Sequence, residues 1–334
     1  MASMKDIARY CGVSVATVSK ALNGLPDIGE DTRQRICAAA QELGYMANSA
    51  ARALKTSRTY NLGVLLLDER RNGLNHEYFS AMLESFKVEA EKHGYDITFI
   101  NENVGGKLTS YLHHCMYRGV DGVLIACIDF VDPRIQELVD GGIPVVTIDH
   151  VFPNRVAVVS DNAEGVEALV RYVYDKGHRR IAYLHGEPSR AATHRRLEGF
   201  HRACEALGLE IPPEYIKECI YHDPDRCAEA TREILALPNR PTCILFPDDY
   251  SFIGGINVIA EAGLRMPEDI SAVGYDGIHL AKAMHLTTYT QDTLGLGRTA
   301  AQQLIQMIEN PDFRHENQIK ICGRLLEFSS VKQL

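Results

Sequence analysis

Two groups of residues have types and spacings that could do chemistry. The first is compact: Ser14, Val15, Ala16, Thr17, Ser19, Lys20 and Asn23. Ser14, Thr17, Ser19 and Asn23 are short hydrogen-bonding side chains suited to phosphate oxygens. Val15 and Ala16 could touch thymine methyl groups, and Lys20 is long enough to reach guanine O6 and N7. The second group is dispersed. Tyr78, Phe79, His150, Asp161, Arg190, Arg196, Tyr221, Asp249, Asp276 and Gln291 stand close beyond short apolar runs. Carboxylates and guanidiniums bind vicinal hydroxyls and aromatic faces stack on rings, so the expected ligand is a polyhydroxylated neutral molecule. Strand-end Asp and Asn also serve as helix caps, so no one of them decides the matter alone.

The elements that must position the first group are short helices. Met4–Cys11 sets Ile7, Ala8 and Cys11 at helical spacing, with Lys5, Asp6, Arg9 and Tyr10 toward solvent. Gly12-Val13-Ser14 breaks that helix, and Ser14 is a good N-cap for a second over Val15–Leu22, with Val18 and Leu22 inward. A short link containing glycine is the helix-turn-helix spacing, in which the second helix enters the major groove N-terminal residues first. A third helix is expected from Asp31 to Leu43, with Ile36, Ala39, Ala40 and Leu43 as its apolar stripe and Gly44 just past its end. A bundle used only for protein contact would show the same spacing. Residues 48–55 make a helical patch too short to stand alone in water. Leu54 beside Arg52 and Lys55 is the composition of a minor-groove wedge.

From Asn61 onward short apolar runs alternate with amphipathic stretches. The runs are 62–68, 95–101, 120–127, 143–149, 180–186, 215–221, 242–247 and 270–276. Such alternation with β-branched residues predicts parallel sheets covered on both faces. A polar stretch near 150–165 splits them into two α/β lobes, and ligands of open parallel sheets bind beyond the carboxyl ends of the strands. The second group of residues therefore belongs in a cleft between the lobes.

Composition narrows the classes. The chain has 334 residues with 46% hydrophobic and 24% charged, so it can bury a substantial core. No apolar run reaches the roughly 18 residues of a membrane span, and the first ten residues lack a signal-peptide core, which makes the cytoplasm the expected location. Nine cysteines at irregular spacing, without C-x-x-C, read as reduced thiols. The net charge of −9 conceals an N-terminal sixty residues with eight basic and five acidic side chains, so the polyanion partner would meet that part. Gly295–Ala300 matches G-x-G-x-x-A but lacks the βαβ context of a nucleotide site, and tight helix–sheet packing explains the glycines better. His113-His114-Cys115 would point different ways on a helix and has no second ligand pair. No metal, cofactor or catalytic residue is therefore expected. Asp248 and Asp249 are chain neighbours, a poor arrangement for glycosidase chemistry.

KDIARYCGVSVATVSKALNG followed by DTRQRICAAAQELGYMANSAARALKTSRT resembles the headpiece and hinge of the LacI family of bacterial transcription regulators. VDGVLIA, GIPVVTID, DNAEG, KGHRRIAYLHG and GLRMPEDISAVGYD resemble its core blocks. The resemblance implies that Ser14, Thr17, Ser19 and Asn23 hold phosphates and that Val15, Ala16 and Lys20 read bases. It implies a hinge helix of Asn48, Ala51, Arg52, Leu54 and Lys55. It places Tyr78, Phe79, Asp161, Arg190, Arg196, Asp249 and Asp276 in an effector pocket. Ala47, Gly29 and Lys20 depart from the Pro, Ser and Arg that are commoner there. The expected organisation is a headpiece over 1–46, a hinge over 47–60, a first lobe over 61–161 plus 291–320, and a second over 162–290 plus 321–334. The expected protein is a homodimeric, non-enzymatic repressor of a palindromic DNA operator, controlled by a carbohydrate. The alternatives are a sugar-binding receptor module and a sugar-processing enzyme.

Overall fold

The computed structural model describes residues 2–22, 24–45, 58–67, 73–312 and 314–334. Chain contacts divide it into two compact units, Met1–Tyr60 and Asn61–Leu334.

In the first unit α1 (Met4–Cys11), α2 (Val15–Leu22) and α3 (Glu30–Glu42) enclose a small apolar centre. Ser3 opens α1 with a reciprocal capping box to Asp6, and Gly12 closes it at φ 65°. Ser14 opens α2, its Oγ accepting from the Thr17 N–H at 3.0 Å. Gly29 precedes α3 without a side-chain cap. Ile7, Ala8, Val18, Ala21, Ile36, Ala39 and Ala40 are buried. Leu22 is partly buried and packs against this cluster, and Ala21 beside it is buried within it.

The second unit is two α/β lobes. The chain runs β1 (Asn61–Leu66), α4 (Glu77–Lys92), β2 (Asp96–Phe99), a hairpin of β3 (Asn103–Val104) and β4 (Lys107–Leu108), α5 (Tyr111–Arg118), β5 (Gly122–Ala126), α6 (Pro133–Asp140), β6 (Val145–Ile148) and β7 (Val156–Ser160). It continues through α7 (Asn162–Asp175), β8 (Ile181–His185), α8 (Ala191–Ala206), β9 (Ile216–Glu218), α9 (Pro224–Leu235), β10 (Cys243–Leu245), α10 (Phe252–Glu261), β11 (Ser271–Asp276), α11 (His279–Ala283) and β12 (Thr288–Thr290). It ends with α12 (Thr293–Glu309), β13 (Gln318–Ile321) and β14 (Arg324–Leu326). One sheet has the order β13-β7-β6-β5-β1-β2 and the other β14-β12-β11-β10-β8-β9. The chain passes between them after β7, β12 and β13.

Every pairing in the first sheet is parallel. Central strands such as β5 are buried at every position, as parallel strands covered on both faces must be. The second sheet departs from the expectation at one edge, where β14 pairs antiparallel with β12. A strand re-entering directly from the other lobe needs no crossover helix and can run backwards there.

The glycines of the 295–300 motif have a different cause from the one expected. A Cβ on Gly297 would lie 2.1 Å from the Met82 carbonyl oxygen and 2.8 Å from the Phe86 nitrogen, so α12 presses on the backbone of α4, helix against helix. Gly295 leaves room for the Asp292 carboxylate, which accepts from the Gly295 N–H at 2.8 Å and caps α12. Gly297→Ala is expected to cost about 1–3 kcal/mol through overpacking, read as a lowered thermal midpoint. An unchanged midpoint would mean that α4 gives way freely.

Candidate functional site

In the first unit the N-terminal turn of α2 faces solvent. Ser14, Val15, Ala16 and Lys20 are exposed, and Thr17 and Ser19 are half-buried. An exposed Val15 next to Ala16 leaves an apolar spot flanked by hydroxyls, the pairing that thymine methyls and phosphates call for. Ser14 and Thr17 hydroxyls are 2.8 Å apart and can both still meet a phosphate. Lys20 Nζ lies 2.5 Å from Asp27 Oδ2. That pair is solvent-exposed, so little is lost when the ammonium turns to another anion. Asn23, Asn48, Ala51, Arg52, Leu54 and Lys55 lie outside the described residues.

In the second unit a cavity of about 430 Å³ opens at the carboxyl ends of strands from both sheets, a volume that suits a small ligand. Tyr78, Phe79, His150, Arg190, Arg196, Tyr221, Asp276 and Gln291 line it together. His76, Phe130, Asp149, Asp248 and His222 line it as well. His76, Asp149, Asp248 and His222 follow a strand or open a helix and are legible in the sequence for that reason, whereas Phe130 lies in the loop after β5. Phe130 stacks on His150 at 4.1 Å. His76 of the first lobe stacks on His222 of the second at 4.2 Å, and His222 on Tyr250 at 3.8 Å. Aromatic surface therefore bridges the lobes at the rim.

Arg196, from α8, is the buried cation of the site. Its Nε donates to Asn162 Oδ1 at 2.7 Å and its Nη1 to the Pro247 carbonyl at 3.0 Å. Its Nη2 stays 3.7 Å from Asp276 Oδ1, and its guanidinium lies 3.7 Å from the centre of the Tyr275 ring. Burial alone would lower its pKa; Tyr221, Tyr275 and Asp276 outweigh that and hold it above its ordinary value. Asp276 ends β11 at φ 102° and accepts from Gln291 Nε2 at 2.6 Å. Burial raises its carboxyl to about 7, against the pull of Arg196. Asp149, at φ 55°, accepts from the Tyr78 hydroxyl at 3.1 Å and the Ser160 N–H at 2.7 Å, and burial raises it too. Cys127, Asp149, His222 and Asp276 all line the cavity in the left-handed region. Non-glycine residues avoid that region, and clusters of them mark sites where geometry matters more than backbone comfort.

Two expected pocket residues stand elsewhere. Asp249 is fully buried and off the cavity wall. It accepts from the Gly277 and Ile278 N–H groups at 2.7 and 3.0 Å and from the Thr288 hydroxyl at 2.7 Å. Its acceptors are thus engaged in pinning the turn that carries Asp276, where Gly277 at φ 73° leaves no room for a side chain beside Thr290. Asp161 lines an adjoining recess rather than the cavity. It caps α7 through the Glu164 N–H and faces Lys320 Nζ at 3.5 Å. Both are the capping and pinning roles that short acids take at strand ends.

The Asp276 shift fixes a pH dependence. The raised carboxyl contributes stability fully present below about 4, near its ordinary value, and lost as pH rises through about 7. A ligand whose hydroxyls donate to the ionised carboxylate has the opposite preference. Its affinity is expected to fall as pH drops below about 7, measured by calorimetry at pH values on either side. A flat profile would place the ligand away from Asp276.

A small three-helix unit with its second helix facing solvent, and two α/β lobes around a cavity lined by aromatic and charged side chains, are the architecture of a DNA-binding regulator. Residues 3–48 match the model of bacterial regulatory proteins of the lacI family, and residues 59–328 that of periplasmic binding proteins and the sugar binding domain of the LacI family. The chain belongs to the LacI family, and is a DNA-binding transcription regulator rather than an enzyme. An HTH-type transcriptional repressor PurR of Mannheimia succiniciproducens is 30% identical over 340 residues, covering all of both chains. The Lac repressor dimer bound to operator and the anti-inducer ONPF has a TM-score of 0.81 at 24% identity, over 99% of each chain. A transcriptional regulator CelR–cellobiose complex has a TM-score of 0.72 at 24% identity, over 99% of this chain and 100% of that one. At such identities these two structures are similar in fold. No helix among the described residues is long and apolar enough to cross a membrane.

Proposed function

We propose that this chain is a repressor that grips a near-palindromic operator as a dimer, and that a sugar seated between its lobes sets the strength of the grip. The observation that carries the sugar reading is the buried Arg196–Asp276–Gln291 group, with Asp149 from the first lobe, in one cavity. Carboxylate and guanidinium side by side match vicinal hydroxyls, and Tyr78, Phe79 and Tyr221 offer ring faces. A cellobiose-bound regulator of the same fold supports the sugar reading, and a relative named as a transcriptional repressor supports the repressor reading. The headpiece extends over residues 1–46, the hinge over 47–60, and the lobes over 61–161 with 291–320 and 162–290 with 321–334.

Residues from both lobes touch the ligand together only when the lobes are closed on it, so the ligand favours the closed population. Closure alters the spacing of the two headpieces in the dimer and so their joint grip on the duplex. A coupling of about 1–3 kcal/mol is typical of such systems. The test is fluorescence anisotropy of a labelled palindromic duplex from upstream of the chain's own gene, against a shuffled duplex, with mono- and disaccharides added in turn. Preference for the palindrome and a sugar-dependent shift in affinity are expected. Equal affinity for both duplexes, or indifference to every sugar, would overturn the proposal.

A further inference from the structure

The cavity wall has a charge balance of its own. Among the described residues, Asp129, Asp149, Glu187, Asp248 and Asp276 line it against Arg190 and Arg196, with no lysine. Both guanidiniums already face a carboxylate. Arg190 Nε is 3.4 Å from Glu187 Oε2, and Arg196 Nη2 is 3.7 Å from Asp276 Oδ1. Two further N–H groups of Arg196 are spent on Asn162 and Pro247. Acceptors, by contrast, are in surplus. Gln291 is 6% exposed, and its Oε1 is buried with no protein donor among the described residues. Asp276 engages Gln291 through Oδ1, and no protein hydrogen bond reaches its Oδ2 among the described residues. Burial raises both Asp149 and Asp276, because removing water penalises their charged forms, and Arg196 only partly opposes this.

We infer that the ligand is an uncharged or ammonium-bearing polyol, and that the phosphate ester or carboxylate of the same compound is excluded. This rests on the sugar reading above and deepens it. Hydroxyl and ammonium groups donate the hydrogen bonds that Gln291 Oε1 and Asp276 Oδ2 lack, whereas phosphate and carboxylate oxygens only accept. The N-terminus of α8 turns toward the cavity at Ala191 and Ala192 without a side-chain cap. It adds roughly half a positive charge, too little against the excess of carboxyls. The adjoining recess does not reverse the balance, because Arg195, Arg202 and Lys320 there face Glu198, Glu167 and Asp161. The signal is thus the compound before phosphoryl transfer or oxidation to its acid, and either reaction ends it.

The experiment uses the full chain, thermal-shift screening and calorimetry. Its probes are glucose, galactose, mannose and ribose, with glucosamine, galactosamine, the terminal phosphate esters, glucuronate and galacturonate. Every binder is expected to be neutral or amino, with its anionic counterpart at least about 100-fold weaker, since an uncompensated charge in a buried site is costly. Asp149→Asn is expected to narrow that gap about tenfold, because one repelling charge is gone. A phosphate or acid that binds as tightly as its parent overturns the inference and leaves the sugar reading standing. A gap that Asp149→Asn leaves unchanged overturns its electrostatic basis. If no polyol of any charge binds, the inference falls together with the sugar reading.

Discussion

Arg196→Ala is expected to destabilise the two-lobed unit by about 3–5 kcal/mol and to abolish ligand binding. The side chain is 6% exposed and gives hydrogen bonds to Asn162 at the start of α7 and to the Pro247 carbonyl after β10. Its loss leaves Asp276 buried without its cation and the Tyr275 ring without its neighbour. Removing one partner of a buried pair costs far more than the pair itself is worth. Arg196→Lys is expected to recover little, because one ammonium cannot reach Asn162, Pro247 and Asp276 from a single point. Chemical denaturation monitored by circular dichroism reads the loss. A variant as stable as the parent would mean that water enters and solvates the site.

Asp276→Asn is expected to leave the fold and ligand-free DNA binding intact while cutting ligand affinity roughly 10- to 100-fold, about 1–3 kcal/mol. Asparagine tolerates the left-handed backbone better than other substitutes, so the φ of 102° is kept at little cost. What is lost is an ionisable acceptor facing the cavity. The pH dependence near 7 should vanish with it, which separates this outcome from simple damage. Unchanged affinity and an unchanged pH profile would move the ligand elsewhere in the cavity.

Much of the fold was legible because its signals are local. Gly12 and Ser14 punctuate α1 and α2, and β-branched runs such as 122–126 announce buried parallel strands. The strand over Val156–Ser160 was not legible, because Pro153-Asn154 before it and Asp161-Asn162 after it make the whole stretch read as polar. β14 is three residues long, and its reversed direction depends on where the chain re-enters the second lobe. The site was legible as a set and less so residue by residue. Beyond the carboxyl end of a strand, neighbours such as Asp248 and Asp249 point to opposite sides, and only the tertiary fold decides which one reaches the cavity. Phe130 carries no hydrogen-bonding pattern that marks it in advance; the loop after β5 brings it to the wall.

The central claim is that the cavity and the duplex are coupled through one two-state element, and linkage makes that coupling reciprocal. The direct measurement is calorimetric affinity for the cavity ligand, taken with the full chain alone and with the chain saturated by its palindromic duplex. Saturation is expected to change ligand affinity by the same factor by which the ligand changes duplex affinity, about 5- to 150-fold. Identical ligand affinities with and without duplex would contradict the account.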